Sequence, residues 1–329
     1  MEPLFAPTEL AGLPLSSHFV MAPMTRKRSP GGVPTAEVAA YYRRRAEGGI
    51  GLIITEGILV DHPSAGHEDT VPVLTPGPAE AGWQKVTGEV HAAGGRIAAQ
   101  LWHLGSRREP AGTAWTPSTM AGGDFQELID AYARSARTAV SAGFDAVEIH
   151  AAHGYLLDEF LWPATNPGDA RTRVAFPAGV VRAVRATIPA AMPLIVRFSQ
   201  FKERAYAARI AETPDELGTV LTELKRAGAD VLHASQRRFT DRAFPDHPGN
   251  LAGWAKRLTG LPTITVGSVG LTAGDAGLAE LAARHARGEF DLVALGRALL
   301  ANPAWVRLAA TGRLDEMNGD RKADEDVYR

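Results

Sequence analysis

The sequence predicts an α/β protein folded as a single-domain (β/α)8 barrel of the TIM type. Three observations carry the prediction: eight short apolar runs, helix-length segments between them, and a repeat at the junctions. The runs are FVMAPMT (19–25), GLIITEG (51–57), RIAAQLWH (96–103), AVEIHAAH (146–153), PLIVRFS (193–199), DVLHAS (230–235), TITVGS (263–268) and LVALGR (292–297). Runs so continuously apolar suit parallel strands covered on their outer face, not antiparallel strands with a wet side. Eight of them, separated by Ala/Arg/Glu-rich stretches long enough for helices, close into a barrel. The repeat is SAGFDAVEIH, RAGADVLHAS and GEFDLVALGR. In it Gly143, Gly228 and Gly288 read as helix ends, and Asp145, Asp230 and Asp291 as strand starts, the turn chemistry of the barrel's stability face. A doubly wound open sheet is the alternative. It needs a glycine-rich fingerprint after an early strand, and VGSVGLTAG (266–274) comes late and lacks that spacing.

The chain has 329 residues, 45% of them hydrophobic, enough for one large barrel. With 35 basic and 37 acidic residues the formal charge is −2, so no long-range field points to nucleic acid or anionic lipid. A small molecule is the expected partner; a homodimer is compatible with the sequence but not required by it. The absence of cysteine excludes thiol nucleophiles, disulfides and thiolate metal sites. MEPLFAPTEL shows no basic segment followed by an apolar run, and no apolar stretch is long enough to span a bilayer, so a soluble cytoplasmic protein is expected. Residues 1–312 are read as one barrel domain and 313–329 as a charged tail, loose or in contact with a partner. The Pro/Gly/Thr-rich stretch 107–124 is a long loop on the face where barrel active sites lie.

Function in such a barrel sits at the C-terminal ends of the strands. The polar residues collected there are Thr25 and Arg26, Glu56 and Gly57, Gln100, Trp102 and His103, His150, His153 and Tyr155, Arg197, Ser235, Gly267 and Ser268, and Gly296 and Arg297. The set is rich in donors and nearly without carboxylates, which argues against a two-carboxylate glycosidase or a hard-metal site. It suits a planar, hydrogen-bonding, phosphate-bearing ligand. Gly267, Gly296 and Arg297 close strands seven and eight, where backbone N–H groups, a guanidinium and the dipole of a following helix can hold phosphate. A simple strand-to-helix turn with a surface arginine would look the same. The pair His150 and His153 admits three readings: zinc ligands, for which a clear third ligand is missing; histidines capping a helix; or N–H donors aimed at an oxygen gaining charge, with Tyr155 as proton donor.

Taken in order, MAPMTRKR (21–28), LIITEG (52–57), AAQLWHLG (98–105), EIHAAHGYLLDEFLWPATN (148–166), VRFS (196–199) and VALGRALLANP (293–303) resemble the successive signatures of the old yellow enzyme family. These are FMN-dependent ene reductases on a (β/α)8 barrel. The resemblance covers nearly the whole chain. It implies that Pro23, Met24, Thr25, Gly57 and Gln100 contact the isoalloxazine. Arg197 would place positive charge at its pyrimidine edge, and Gly267, Gly296 and Arg297 would grip the phosphate. It further implies a ping-pong reaction in which NAD(P)H reduces the flavin and leaves. An α,β-unsaturated carbonyl compound then takes its place, beside Trp102, with its oxygen on His150 and His153 and its α-carbon protonated by Tyr155.

Three departures concern the mouth. The Asp-x-Tyr-Gly-Gly element usual after Asn166 is absent from NPGDARTRVAF (166–176), the Pro/Gly loop after His103 is shortened relative to that family, and the tail lacks the usual aromatic-rich region. A wider mouth would suit a specialised redox, desaturation or isomerisation step on a bulky biosynthetic intermediate. A non-catalytic flavin barrel and a metal-dependent hydrolase are weaker alternatives, since His150, His153 and Tyr155 are intact and strand-end carboxylates are few.

Overall fold

The computed structural model describes residues 2–109, 114–120, 125–271, 275–317 and 328. After a short helix α1 (Glu2–Phe5) come a hairpin, β1 (Thr8–Leu10) and β2 (Leu13–Leu15), and the strands β3 (Phe19–Met21), β4 (Leu52–Leu59), β5 (Ile97–Trp102), β6 (Ala146–His153), β7 (Leu194–Lys202), β8 (Val231–Ser235), β9 (Thr263–Val266) and β10 (Leu292–Leu295). The last eight form a closed parallel barrel in the order β10-β3-β4-β5-β6-β7-β8-β9; each starts in one of the apolar runs, and β4 and β7 extend past theirs to Leu59 and Lys202. The helices between them are α2 (Ala36–Glu47), α3 (Pro78–Ala92), α4 (Phe125–Ser141), the short α5 (Leu156–Leu161), α6 (Ala170–Thr187), α7 (Pro214–Arg226), α8 (Leu251–Thr259) and α9 (Asp275–Ala286), followed by α10 (Ala298–Ala301) and α11 (Trp305–Ala310).

The helices start where the sequence supplies a cap. The side-chain oxygens of Thr35, Asp169, Thr213 and Asn250 each accept a first-turn N–H, from Val38, Thr172, Glu216 and Gly253. Asp169 begins α6 within the stretch 166–176, so the chain enters this helix directly from Gly168. Each helix then buries one stripe, as α7 does with Leu217, Val220, Leu221 and Leu224.

The repeated Gly and Asp residues do more than mark boundaries. Gly143, Gly228 and Gly288 have φ of 83°, 112° and 72°, a left-handed turn that lets the chain double back from helix to strand. Each aspartate then clamps the first residue of the preceding strand with two bonds. The carboxylates of Asp145, Asp230 and Asp291 accept from the N–H of Ile97, Leu194 and Thr263 at 2.8, 2.9 and 2.8 Å. Their own N–H groups donate to the carbonyls of the same residues at 2.9, 2.9 and 3.0 Å. The carboxylates are also paired with His91, Arg185 and Lys256.

The barrel interior is layered because side chains alternate along each strand. At the bottom Val20, Leu52, Ile54, Ala98, Ala146, Ile195, Val231, Ile264 and Leu292 form one buried cluster, which Leu10 and Leu15 of the hairpin complete from below. The hairpin turns through Ala11 and Gly12, both at positive φ, the geometry that suits the twist of a two-residue loop. Two residues further up the four adjacent strands β5 to β8 the interior becomes polar: Gln100 follows Ala98, Glu148 follows Ala146, Arg197 follows Ile195 and His233 follows Val231. Most of the tail at 313–329 lies outside the described residues, but Tyr328 stacks on Tyr41 of α2 with ring centroids 4.4 Å apart, under the guanidiniums of Arg26 and Arg28. No helix among the described residues is long and apolar enough to cross a membrane. Replacing Asp230 by Ala removes one clamp and leaves the Leu194 N–H unpaired, so urea unfolding is expected to show a loss of about 1–3 kcal/mol. An unchanged midpoint would mean that the clamp is incidental.

Candidate active site

The end of β6 positions most of the site. Alternation sends Ala146, Glu148 and His150 into the barrel, and a bulge against β7 then shifts the register between Ala151 and His153. His153 and Gly154 both adopt positive φ, 67° and 85°, which turns the chain over the barrel mouth and makes Tyr155 the residue that opens α5. For a histidine this is a costly conformation, and the surroundings hold it. The His153 N–H donates to Ser199 Oγ at 3.0 Å, and the Gly154 N–H donates to Asp158 at 2.6 Å. Asp158 in turn forms a fully buried ion pair with Lys202 of β7, 2.6 Å away.

The turn brings the aromatic groups together. Ring centroids of His150 lie 5.2 Å from His153 and 5.0 Å from Tyr155, and Trp102 stands 4.9 Å from Tyr155 and 6.4 Å from His150. His150 Nδ1 accepts the N–H of Ala152 at 3.3 Å, which leaves Nε2–H as its donor. In His153 it is Nε2 that is engaged, with Ser235 Oγ at 2.8 Å, and Nδ1 is the nitrogen that donates when the Ser235 hydroxyl gives its hydrogen to Nε2. Burial, with the positive charge of Arg197, holds both imidazoles well below the usual histidine range, so both are neutral donors.

Two adjoining cavities receive the residues picked from the strand ends. The first, about 600 Å³, is lined by Pro23, Met24, Thr25, Gly57, Gln100, Trp102, His150, His153, Tyr155 and Arg197. The second, about 230 Å³, shares Pro23, Met24 and Arg197 and adds Gly267, Gly296 and Arg297. These residues therefore face one continuous depression at the C-terminal end of the barrel, which Ser235 and Ser268 also line, whereas Arg26, Glu56 and His103 of the strand-end set line neither cavity. The glycines differ in what demands them. A Cβ on Gly57 would meet the Trp102 ring at 2.6 Å, and one on Gly267 the Phe239 nitrogen at 2.7 Å, so the protein itself requires both. A Cβ on Gly296 would meet nothing closer than Met24 Sδ at 3.8 Å; the space it keeps open is the cavity. The Nε atoms of Arg197 and Nε1 of Trp102 are buried without a hydrogen-bond partner among the described residues.

Two expectations need correction. The helix after Arg297 is α10, with four residues, too short to supply an appreciable dipole, so anion affinity there falls to backbone N–H groups and the guanidinium. Carboxylates are also not scarce. Glu56 and Glu148 are buried in the barrel, and Glu68, Glu109 and Glu203 line the mouth. Glu148 accepts from Gln100 Nε2 and from His233 Nδ1, each at 2.7 Å, so Gln100 turns its remaining oxygen to the cavity. Glu56 accepts the N–H groups of Arg26 and Lys27, and burial pushes its carboxyl up to about 7. Glu68 pairs with Lys27. Sequence reading missed Glu148 and His233 because they sit inside apolar runs, although a charged residue two before His150 shares its face of the strand.

The sequence profile of the NADH:flavin oxidoreductase / NADH oxidase family matches residues 3–316. The chain is 31% identical to 12-oxophytodienoate reductase 7 of Oryza sativa subsp. japonica, over 92% of this chain and 86% of that one. It is 29% identical to an NADH oxidase of Thermoanaerobacter brockii over 95% of this chain, but spans only 52% of that relative's length. Among solved structures it superposes on morphinone reductase with a TM-score of 0.83 at 30% identity, covering 98% of this chain and 92% of the other. Another structure of morphinone reductase, in complex with tetrahydroNAD, superposes with a TM-score of 0.82 at 29% identity, over 98% of this chain and 93% of the other.

The lowered histidine pKa values have a checkable consequence. The unfolded chain takes up protons near the ordinary histidine value of about 6.5 while the folded site does not, so these groups withdraw stability as pH falls below that value. In ¹⁵N NMR at about pH 6, His150 and His153 are expected to show neutral imidazoles, with the proton on Nε2 and Nδ1 respectively. An imidazolium signal from either would overturn the assignment.

Proposed function

Because the chain belongs to the NADH:flavin oxidoreductase / NADH oxidase family, an FMN enzyme with NAD(P)H as hydride donor, we propose that it reduces the activated C=C bond of α,β-unsaturated carbonyl compounds in a ping-pong reaction. The observation that carries the reading is the gathering of two neutral imidazole donors and one phenol on a single wall of the cavity, beside a buried guanidinium. The relatives named for reduction of 12-oxophytodienoate and of morphinone support a carbonyl-bearing substrate.

The residues present fit FMN. Among the described residues, no atom claims the space that Gly296 keeps open, and the buried guanidinium of Arg197 has an unpartnered Nε. On this reading Pro23, Met24, Thr25, Gly57, Gln100 and Arg197 hold the ring system, and Gly267, Gly296 and Arg297 the phosphate. FMN, when bound, carries hydride from the nicotinamide to the substrate. His150 Nε2–H and His153 Nδ1–H donate to the substrate carbonyl oxygen, drawing electron density from the alkene and stabilising the enolate as charge develops. Trp102 packs against His150 and Tyr155 and confines the substrate between them. Tyr155 gives its phenolic proton to the α-carbon. Arg197 adds a fixed positive charge in a site that excludes much of the water, where it acts more strongly than at the surface.

A para-substituted phenol, bound as phenolate on the flavin of the FMN-saturated protein, is expected to produce a long-wavelength absorption band that His150→Ala abolishes. The same variant is expected to lose about 10²–10³ in the rate of enone reduction. Tyr155→Phe is expected to slow reoxidation of reduced enzyme by 2-cyclohexenone while leaving flavin reduction by NADPH nearly unchanged. Bound flavin with no phenol band, or equal slowing of both half-reactions in Tyr155→Phe, would overturn these assignments.

A further inference from the structure

Tyr155 has a contact that proton donation does not require. Its phenolic oxygen lies 3.4 Å from both oxygens of the Glu203 carboxylate, on the segment that leaves β7 after Lys202. The approach is built from the same strained turn that places the histidines. The carbonyl oxygen of His153 accepts the Glu203 N–H at 3.3 Å and Arg107 Nη2 at 3.4 Å. Arg107 Nη1 stands 3.6 Å from Glu203, and its guanidinium lies 5.8 Å from the centre of the Tyr155 ring. One carbonyl thus anchors the carboxylate and its counter-ion against the phenol. The Glu203 side chain is 49% exposed, so it exchanges protons with bulk water, whereas Tyr155 faces the cavity.

An ionised carboxylate can only accept hydrogen bonds. While Glu203 is ionised, the phenolic hydrogen points to it and away from a substrate, and giving that hydrogen away would leave a phenolate facing a carboxylate. A protonated Glu203 does the opposite: it donates to the phenolic oxygen and frees the phenolic hydrogen. Burial first, and then Glu203, push the phenol up to about 12, the direction this arrangement requires.

We propose that Glu203 is a positioning residue that gates proton delivery by Tyr155, holding the phenolic proton back when ionised and relaying a proton to the phenolic oxygen when protonated. The inference rests on the reading of Tyr155 as the proton donor. In the relay the Tyr155 Oη–H bond breaks as the α-carbon C–H bond forms. The Glu203 Oε–H bond breaks as a new Oη–H bond forms, and water reprotonates the carboxylate. Other charged or titratable groups face this pair: Arg107 from the segment after β5, His150 and His153 from β6, Arg197 and Lys202 from β7, Asp158 from α5, and Arg204 beside Glu203. The histidines stay neutral, and Asp158, pushed up to about 6 by burial, is bound to Lys202. Any titration of Asp158 would persist when Glu203 is replaced.

The test is stopped-flow reoxidation of the reduced holoenzyme by 2-cyclohexenone between about pH 5 and 8. The wild-type rate is expected to rise as pH falls. Glu203→Gln is expected to be faster than wild type at about pH 7, by about threefold or more, and to lose that rise. In a Tyr155→Phe background the Glu203→Gln change is expected to have no effect, because the two act through one proton. A second readout needs no turnover: in protein labelled at tyrosine Cζ, the NMR signal absent from Tyr155→Phe is expected to titrate with Glu203 in wild type and stay flat in Glu203→Gln. A Glu203→Gln enzyme that is slower at neutral pH, or keeps the wild-type pH profile, overturns the gate while leaving Tyr155 as donor. A Tyr155→Phe enzyme reoxidised at the wild-type rate overturns the reading beneath it.

Discussion

The site depends on a carboxylate buried inside the barrel. Glu148 has no exposure, and an ionised group there is tolerable only if every oxygen finds a partner. It finds Gln100 on β5 and His233 on β8, and its neighbour across β6 and β7 is the strand that carries Arg197. Its bonds therefore tie side chains on β5 and β8 to β6, with the Arg197 charge on β7 held within its electrostatic reach. The bonds set Gln100's amide orientation and the His233 tautomer. They also hold a polar layer over the apolar plug formed with Leu10 and Leu15. The ligand cavity lies on that layer.

Above the layer a second buried charge pair does comparable work for the turn. Lys202 and Asp158 are both out of water, and such a pair gives little net stability compared with apolar packing. Its effect is geometric. Asp158 takes the Gly154 N–H, so the ion pair fixes the start of α5 to the end of β7 and keeps His153 in its left-handed conformation. Tyr155, Glu203 and Arg107 then meet around a single carbonyl. Breaking the pair would release all three, which separates it from a surface salt bridge that contributes little wherever it occurs.

What was legible in the sequence follows from how local each signal is. The eight strands stood out because both faces are covered, which makes each a continuous apolar run, and the Gly/Asp junctions stood out because one turn geometry recurs. The hairpin was invisible: strands of three residues carry no period to count. Residues at strand ends could be collected because barrel geometry places them on one face, and the two cavities unite all of them but Arg26, Glu56 and His103. Their partners could not. Ser235 on His153, His233 on Glu148 and Glu203 on Tyr155 are joined by pairings between residues 82, 85 and 48 positions apart. The glycines show the same limit: the need for Gly57 comes from Trp102, on the neighbouring strand.

The electrostatics divide the depression into a constant floor and a responsive rim. Arg197 keeps its charge, and by its presence helps keep His150 and His153 neutral. The donors that meet the substrate oxygen are thus in one protonation state throughout the neutral range, and their strength does not vary with pH. Had either histidine been an imidazolium, it would have bound the ground-state carbonyl and any stray anion as readily as the enolate, spreading binding over states that do not advance the reaction. The rim is different. Lys27 with Glu68 and Arg107 with Glu203 stand where water reaches them, and of these only Glu203 touches a group proposed to transfer a proton. With neutral imidazoles meeting the carbonyl oxygen and an exposed carboxylate beside the phenol, the proposed gate acts at the protonation of carbon and leaves the donors to the carbonyl oxygen unchanged.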